Sequence, residues 1–464
     1  MNTQFSPKRR QDILAVCCLS LFLVSVDSSI VNVALPKISI ELHAEMADLQ
    51  WIVDGYPLVL ASLLIFGGSL GDRFGRKPVF IIGMTLFGVG SLLCSFARNP
   101  AQLVAARVFQ AFGGAMLNPV AMAIIVNTFS DSIERAKAIG VWGAVNGLGA
   151  AAGPLLSGIL VSTIGWRSIF WINVPAVLLG VFLTWRFVPN SKAAIVRRFD
   201  LPGQILTLVF MACAIGSIIE GPRRGGDSRL TIALITISVV SFFAWIICEW
   251  RAEQPLIDPR FFRNHNLSAA IAAAILAFAS IGSFLFVNTL YLQTVRGLSP
   301  FAAGVMMLPV ALISMLLSPL SGKVVGNYGP AIPLIAAGLA FAASAVMIFL
   351  LPVHAPLIGF VCAYFLFGSG VGLVNAPITN SAVSSLPASQ AGVAAGMAST
   401  ARQIGMSLGV AIAGAVIANR MAGDLATGLH TAALPLWILV AGWGGGISTL
   451  GLLSRKRVQS PNAV

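Results

Sequence analysis

Asp27 stands in Ser25-Val26-Asp27-Ser28-Ser29-Ile30-Val31-Asn32, a polar island inside an otherwise apolar stretch. A carboxylate near the centre of a bilayer costs about 2.5–3.5 kcal/mol on insertion scales, so such a residue is a functional candidate by default. Removal from water favours the protonated form of a carboxyl, which is what a proton carrier needs. Asp54, in Gln50-Trp51-Ile52-Val53-Asp54-Gly55-Tyr56-Pro57, lies one to two turns inside the next apolar stretch, near enough to the interface to be wetted. Arg107, in Leu103-Val104-Ala105-Ala106-Arg107-Val108-Phe109-Gln110, lies inside the fourth. At 1.5 Å per residue, Arg107 and Asp27 sit roughly 10 and 14 Å from the same surface. Similar depths allow Arg107 to pair with Asp27 or with Asp54. An arginine does not give up its own proton; it acts by favouring the ionised acid beside it, and protonating that acid breaks the pair. Asp27, Asp54 and Arg107 are therefore the candidates for proton coupling, against the plainer alternative of a static ion pair. Candidates for contact with a small-molecule substrate are Asp27, Asp54, Tyr56, Gln110, Asn146 and Arg402. The partner of Arg402 is open between backbone carbonyls, substrate and lipid.

Two further motifs concern motion. Gly68-Ser69-Leu70-Gly71-Asp72-Arg73-Phe74-Gly75-Arg76-Lys77 reads as a tight, charged turn between two apolar stretches. Such a turn can dock on neighbouring helix ends and be released, so Gly68, Asp72, Arg73, Gly75 and Arg76 form a candidate conformational latch. Gly149, Gly153, Pro154 and Gly158 place small residues at four-residue spacing with a proline, which permits close helix contact and a bend.

The elements that must hold these residues follow from composition. The chain has 464 residues, 57% hydrophobic and 10% charged, against roughly 25% charged in soluble proteins. About fourteen apolar stretches of about 20 residues recur, each long enough to span a bilayer. An even number puts both ends on one side, and the basic N-terminal stretch reads as a retained first helix, not a cleaved leader. The net charge of +13 is unevenly placed. Lys8-Arg9-Arg10, Arg73, Arg76-Lys77, Arg197-Arg198 and Arg455-Lys456-Arg457 all fall on the N-terminal side, as cytoplasmic basic loops do. The basic excess is thus a topology signal and not a nucleic-acid footprint. The six cysteines lie within apolar stretches without zinc spacing, and the four histidines lie in loops or at helix ends. No phosphate loop and no catalytic or metal-ligating cluster is present, so neither an enzyme nor a cofactor or metal is expected.

The chain also repeats weakly at an offset of about 255 residues. Gly68–Gly75 aligns with Gly322–Gly329, Phe112-Gly113 with Phe367-Gly368, and Gly149 and Gly153 with Gly405 and Gly409. Parallel repeats of this kind occur in transporters. The expected organisation is an N-terminal six-helix bundle over 1–188, two inserted membrane helices with their loops over 189–266, and a C-terminal six-helix bundle over 267–464.

These residues resemble the major facilitator superfamily, and within it the fourteen-helix drug:proton antiporter branch. The resemblance rests on Gly68–Lys77, on Asp27–Pro36 (DSSIVNVALP), Gln50–Leu58 (QWIVDGYPL) and Gly165–Pro175 (GWRSIFWINVP), and on Tyr291–Pro309, Gly149–Gly158 and Gly368–Gly409. It implies an all-α membrane protein with the major facilitator fold, two six-helix bundles plus two inserted helices, alternating between inward- and outward-open states. It implies that Asp72 and its arginines stabilise the outward-open state, and that Asp27 and Arg107 serve proton coupling. The implied function is proton-coupled multidrug efflux of amphipathic or hydrophobic toxic compounds from a bacterial inner membrane, by a multi-pass monomer with both termini cytoplasmic. Small molecules, protons and the bilayer are the implied partners. The alternatives are a dedicated exporter of one endogenous metabolite, such as a siderophore, lipid or amino-acid derivative, and a non-transporting membrane sensor on the same fold. No acid lies within 301–321 or 391–419, where some dication exporters of the branch carry one. Neutral, zwitterionic and anionic substrates gain weight accordingly.

Overall fold

The computed structural model describes residues 6–129, 131–192, 200–252, 258–386, 391–421 and 425–455; Arg197, Arg198, Lys456 and Arg457 lie outside them. The described chain is helical, with fourteen helices long and apolar enough to cross a membrane. In the first unit run α1 (Pro7–Leu42), α2 (Met46–Phe74), α3 (Arg76–Ser95), α4 (Pro100–Thr128), α5 (Ser132–Thr163), α6 (Ser168–Trp171) and α7 (Asn173–Phe187). Then come α8 (Leu201–Arg224) and α9 (Arg229–Arg251). The second unit holds α10 (His265–Leu290), α11 (Pro300–Tyr328), α12 (Ala331–Leu350), α13 (Leu357–Ser384), α14 (Ala391–Arg420) and α15 (Leu425–Arg455). The division between the units falls inside α8, between Leu208 and Val209. α6 and α7 together make one span, and α10 continues through a π-helical turn at Tyr291–Val295.

Local chemistry sets the helix ends. Asn99 Oδ1 accepts from the Gln102 N–H at 2.9 Å and Pro100 opens α4; Ser299 and Pro300 do the same for α11. Such caps supply acceptors for otherwise orphaned N–H groups. Prolines lie inside α1, α2, α4, α5, α8, α11, α13 and α15. That frequency is tolerable in membrane helices, where neighbours and hydroxyl side chains satisfy the freed carbonyls.

The same set of pairings occurs within each unit. α1 packs on α5, α2 on α4, and α3 on α4 and α7; α10 packs on α14, α11 on α13, and α12 on α13 and α15. Glycines make the α1–α5 and α10–α14 contacts close. A Cβ at Gly153 would lie 1.9 Å from Ser29 Oγ, and one at Gly409 would lie 2.1 Å from the Ala279 carbonyl oxygen. The α8–α9 pair is joined through the rings of Phe210 and Phe242, 5.1 Å apart. At its start α8 meets α2, where the buried Gln204 amide donates to the Ser62 carbonyl. α9 exposes Ile235, Val239, Val240, Phe243 and Trp250, the surface of a helix solvated by lipid.

Candidate functional site

Asp27 is fully buried in α1, and three residues from two other helices supply its partners. Arg107 Nη1, from α4, donates to Asp27 Oδ2 at 2.5 Å. Gln110 Nε2, one helical turn further along α4, donates to Asp27 Oδ1 at 2.8 Å. Asn173 Nδ2, at the start of α7, reaches the same oxygen at 3.2 Å. The cage closes on itself: Arg107 Nη1 also donates to Gln110 Oε1 at 2.7 Å. Gln110 Nε2 and Asn173 Nδ2 also donate to Ser91 Oγ of α3, at 2.7 and 3.1 Å. The i, i+3 spacing of Arg107 and Gln110 is what puts both on one face of α4.

Tyr56 of α2 completes the surroundings. Its ring lies 4.4 Å from the Arg107 guanidinium carbon, and the Phe170 ring lies 5.9 Å from it. Cation–π contacts of this kind contribute about 2 kcal/mol when desolvated. Tyr56 Oη and Arg107 Nε are buried with no hydrogen-bond partner among the described residues. The structure thus brings together Asp27, Arg107, Gln110 and Tyr56, and it resolves the choice of acid for Arg107 in favour of Asp27. Asp54, two residues from Tyr56 on α2, is fully buried rather than wetted, and Arg107 makes no bond to it.

Asn146 lies elsewhere on the same contact. Its Oδ1 accepts from Ser25 Oγ at 2.5 Å, tying α5 to α1 half a turn from Asp27. Gly149 and Gly153 press on Ser25 and Ser29, one on each side of Asp27 in sequence. Pro154 and Gly158 continue the buried stripe of α5. The small residues therefore set how closely α5 approaches the helix that carries the acid.

The charged turn takes a different shape from the one its sequence predicts. α2 runs on to Phe74 and α3 starts at Arg76, so the ten-residue connection contracts to Gly75. Gly75 has φ +108°, a conformation that side-chain-bearing residues rarely adopt, and its N–H closes α2 on the Gly71 carbonyl at 3.1 Å. The charges are thus helix-terminal residues. Arg76 Nη2 pairs with Asp72 Oδ1 at 3.2 Å, and Arg76 Nη1 donates to the Ala123 carbonyl of α4 at 3.2 Å. Lys77 Nζ reaches the Trp185 carbonyl near the end of α7 at 2.7 Å. Gly68 faces Pro119 of α4, and Arg73 lies in the last turn of α2.

In the second unit, Arg402 of α14 donates to Thr379 Oγ1 of α13 at 3.1 Å and to Ser399 Oγ at 3.4 Å. Sequence reasoning passed over two members of the Asp27 cage. Asn173 carried a signal, an amide within the motif Gly165–Pro175. Ser91 carried none, because a serine in an apolar helix is ordinary.

Fourteen helices long enough to span, one pattern of pairings repeated within each of two units, and a buried ion pair in the first define a multi-pass membrane protein of the transporter type. A model of the Major Facilitator Superfamily matches residues 17–410, and the chain belongs to that superfamily. Multidrug resistance protein Stp of Mycobacterium tuberculosis is 36% identical over 414 residues, covering 89% of this chain and 77% of that protein. The tetracenomycin C resistance and export protein of Streptomyces glaucescens is 36% identical over 415 residues, 89% and 76% respectively. Among solved structures, an auto-inhibited POT family peptide transporter superposes with a TM-score of 0.70 at 16% identity, over 99% of both chains. That last likeness concerns the fold alone.

Proposed function

We propose that this chain is a proton-coupled antiporter that exports amphipathic or hydrophobic toxic compounds from a bacterial inner membrane by alternating access. Its two six-helix halves are residues 1–188 and 267–464, with the pair of helices within 189–266 inserted between them. It works as a monomer with both termini cytoplasmic. The relatives named for drug resistance and export support the substrate class. The observation that carries the mechanism is the caged Asp27–Arg107 pair.

Ionised Asp27 is the acceptor of three donors and the counter-charge of Arg107. A proton on Asp27 removes that charge and leaves a cation in a low-dielectric interior. Unpairing a buried ion pair costs about 3–5 kcal/mol. Turning a 1:99 population into 99:1 takes about 5.5 kcal/mol. Protonation together with substrate release therefore supplies energy of the required size. The contact that yields is the one between α1 and α4, while Gly149 and Gly153 keep α5 against α1. Substrate enters from the cytoplasmic side with Asp27 ionised, and the Asp72–Arg76 pair releases and re-forms at the cytoplasmic ends of α2 and α3. After outward opening, a proton takes Asp27 and the substrate leaves. Asp54 is a second buried acid for coupling or for substrate contact.

The test is purified protein in proteoliposomes bearing a pH gradient, with fluorescent amphipathic dyes as substrates. Dye movement that dissipates the gradient, and gradient-driven dye accumulation, are expected. No substrate-driven proton movement with any dye supports the sensor alternative instead. A second reading, a dedicated exporter of one endogenous compound, is favoured by the relative named for a single antibiotic, tetracenomycin C. Protection against one compound class only, in a broad susceptibility panel, selects it.

A further inference from the structure

Arg107, the arginine buried within the first unit, has Asp27 to answer its charge; Arg402 has no acid beside it among the described residues. Among the described residues its guanidinium donates only to two neutral oxygens, Thr379 Oγ1 and Ser399 Oγ. From His265 to the C-terminus the single carboxyl side chain in the sequence is Asp424, which lies outside the described residues. An arginine at membrane depth costs about 2.5–3.5 kcal/mol on insertion scales, and such residues pair with one another, with carbonyls or with what the protein carries.

The hydroxyls sharpen the case. Most span hydroxyls here donate to the carbonyl three or four residues back, as Ser62, Thr85, Thr128, Thr184 and Ser280 do. Thr379 and Ser399 make no such bond among the described residues; their oxygens accept from Arg402 and their hydrogens are not used. One guanidinium and two hydroxyls thus lie together between α13 and α14, with donors in excess and no anionic acceptor among the described residues. A planar guanidinium flanked by O–H groups matches an oxyanion, which takes two parallel N–H bonds and accepts from hydroxyls besides.

We propose that Arg402, Thr379 and Ser399 form a seat for an oxyanion, and that the exported compounds include amphipathic acids whose carboxylate occupies it. This rests on the exporter reading and narrows its substrate class. It also fits the absence of acids from α11 and from 391–419, where a cationic compound would seek its counter-charge. The same chemistry is offered by a lipid phosphate, so the source of the anion has to be separated experimentally.

The probes are two fluorescent amphipaths identical except that one ends in a carboxylate and the other in its methyl ester. Binding is measured to the full chain in nanodiscs of phosphatidylcholine, with and without phosphatidylglycerol. The wild-type protein is expected to bind the carboxylate at least about tenfold more tightly than the ester, the size of one charge-assisted contact. Arg402→Gln is expected to bring that ratio near one, and a melting temperature close to that of the wild-type protein shows that the variant is folded. Arg402→Lys, which keeps the charge and loses the fork, is expected to fall between. Equal binding of both probes by wild-type protein overturns the anion seat and leaves the exporter reading intact. So does a carboxylate preference that survives Arg402→Gln. Loss of co-purified phosphatidylglycerol in Arg402→Gln, with no carboxylate preference in wild-type protein, assigns the anion to lipid and overturns the substrate assignment. If neither probe is bound or transported, both readings fall together.

Discussion

At the middle of the first unit, α1, α3, α4 and α7 meet through Asp27, Ser91, Arg107, Gln110 and Asn173. In the second unit, α10, α12 and α13 meet through Phe284, Phe341, Tyr364 and Phe367. The Phe284 and Phe367 rings lie 3.9 Å apart and 13° from parallel, with Phe341 5.0 Å from Phe367 and Tyr364 5.1 Å from Phe284. The helix pairings that carry these clusters are the same, and so are the close glycine contacts, Gly149 and Gly153 on α1, Gly405 and Gly409 on α10. Alignment of Phe112-Gly113 with Phe367-Gly368 puts Cys362 where Arg107 stands. Duplication has kept the packing and not the charges. The first unit therefore holds a core built around an ion pair, and the second one built from stacked rings.

The largest expected effect tests that contrast at its centre. Asp27→Asn leaves the guanidinium of Arg107 buried without a counter-charge, and is expected to cost about 3–5 kcal/mol of stability. Thermal unfolding of the solubilised protein measures it. Gradient-driven export is expected to vanish in the same variant; full export would remove Asp27 as the carrier. Combining it with Arg107→Gln removes both charges at once. That double variant should recover most of the stability while remaining uncoupled, which separates the fold from the chemistry. In the second unit, Phe367→Ala opens a cavity in the ring cluster and is expected to cost about 3 kcal/mol. Here the coupling of dye to proton movement, read per folded molecule, should survive.

These expectations show which parts were legible in the sequence. Span number and the presence of Asp27 and Arg107 at similar depth followed from hydropathy and helical rise, because both are one-dimensional properties. Which acid Arg107 takes was not, because the side-chain directions of α1, α2 and α4 depend on packing. The Gly68–Lys77 segment was placed correctly and shaped wrongly. Polar residues suggested a loop, yet a helix ends in charges readily where it leaves the bilayer, and only Gly75 is bent out of helix. Ser91 was unreadable for the opposite reason: its hydroxyl matters only because two amides from other helices converge on it.

A smaller effect probes what the units share. At Gly409 a methyl group would meet a backbone carbonyl at 2.1 Å, whereas at Gly153 the nearest atom is the Ser29 hydroxyl oxygen. A side-chain hydroxyl can rotate away; a helix carbonyl cannot. Gly409→Ala is expected to cost about 1–3 kcal/mol, the range for overpacking, and Gly153→Ala less. Function should order them the other way, because Gly153 presses on the helix that carries Asp27. Export rate against melting temperature for the two variants checks the crossing.

The smallest effect concerns the two turns. Gly75 and Gly329 both end a helix at positive φ, +108° and +82°, but Asp72 faces Arg76 in one and Gly326 stands at the matching position of the other. The Asp72 side chain is 43% exposed, and exposed i, i+4 pairs contribute about 0.3–0.5 kcal/mol. Asp72→Asn should therefore shift melting by less than about 1 kcal/mol, within the range of exposed pairs. At 1 M salt, where the screening length is about 3 Å, wild-type protein should melt with the variant. A Cβ at Gly326 meets nothing within 4 Å, so Gly326→Asp is sterically free and places an acid one turn from Lys323. It should leave melting nearly unchanged and should not rescue the export rate of Asp72→Asn. The arginine that answers Asp72 also grips the Ala123 carbonyl of α4, and the second turn has no arginine to do so. Rescue by Gly326→Asp would mean that the latch depends on an acid in either turn, and not on Arg76 bridging α2 to α4.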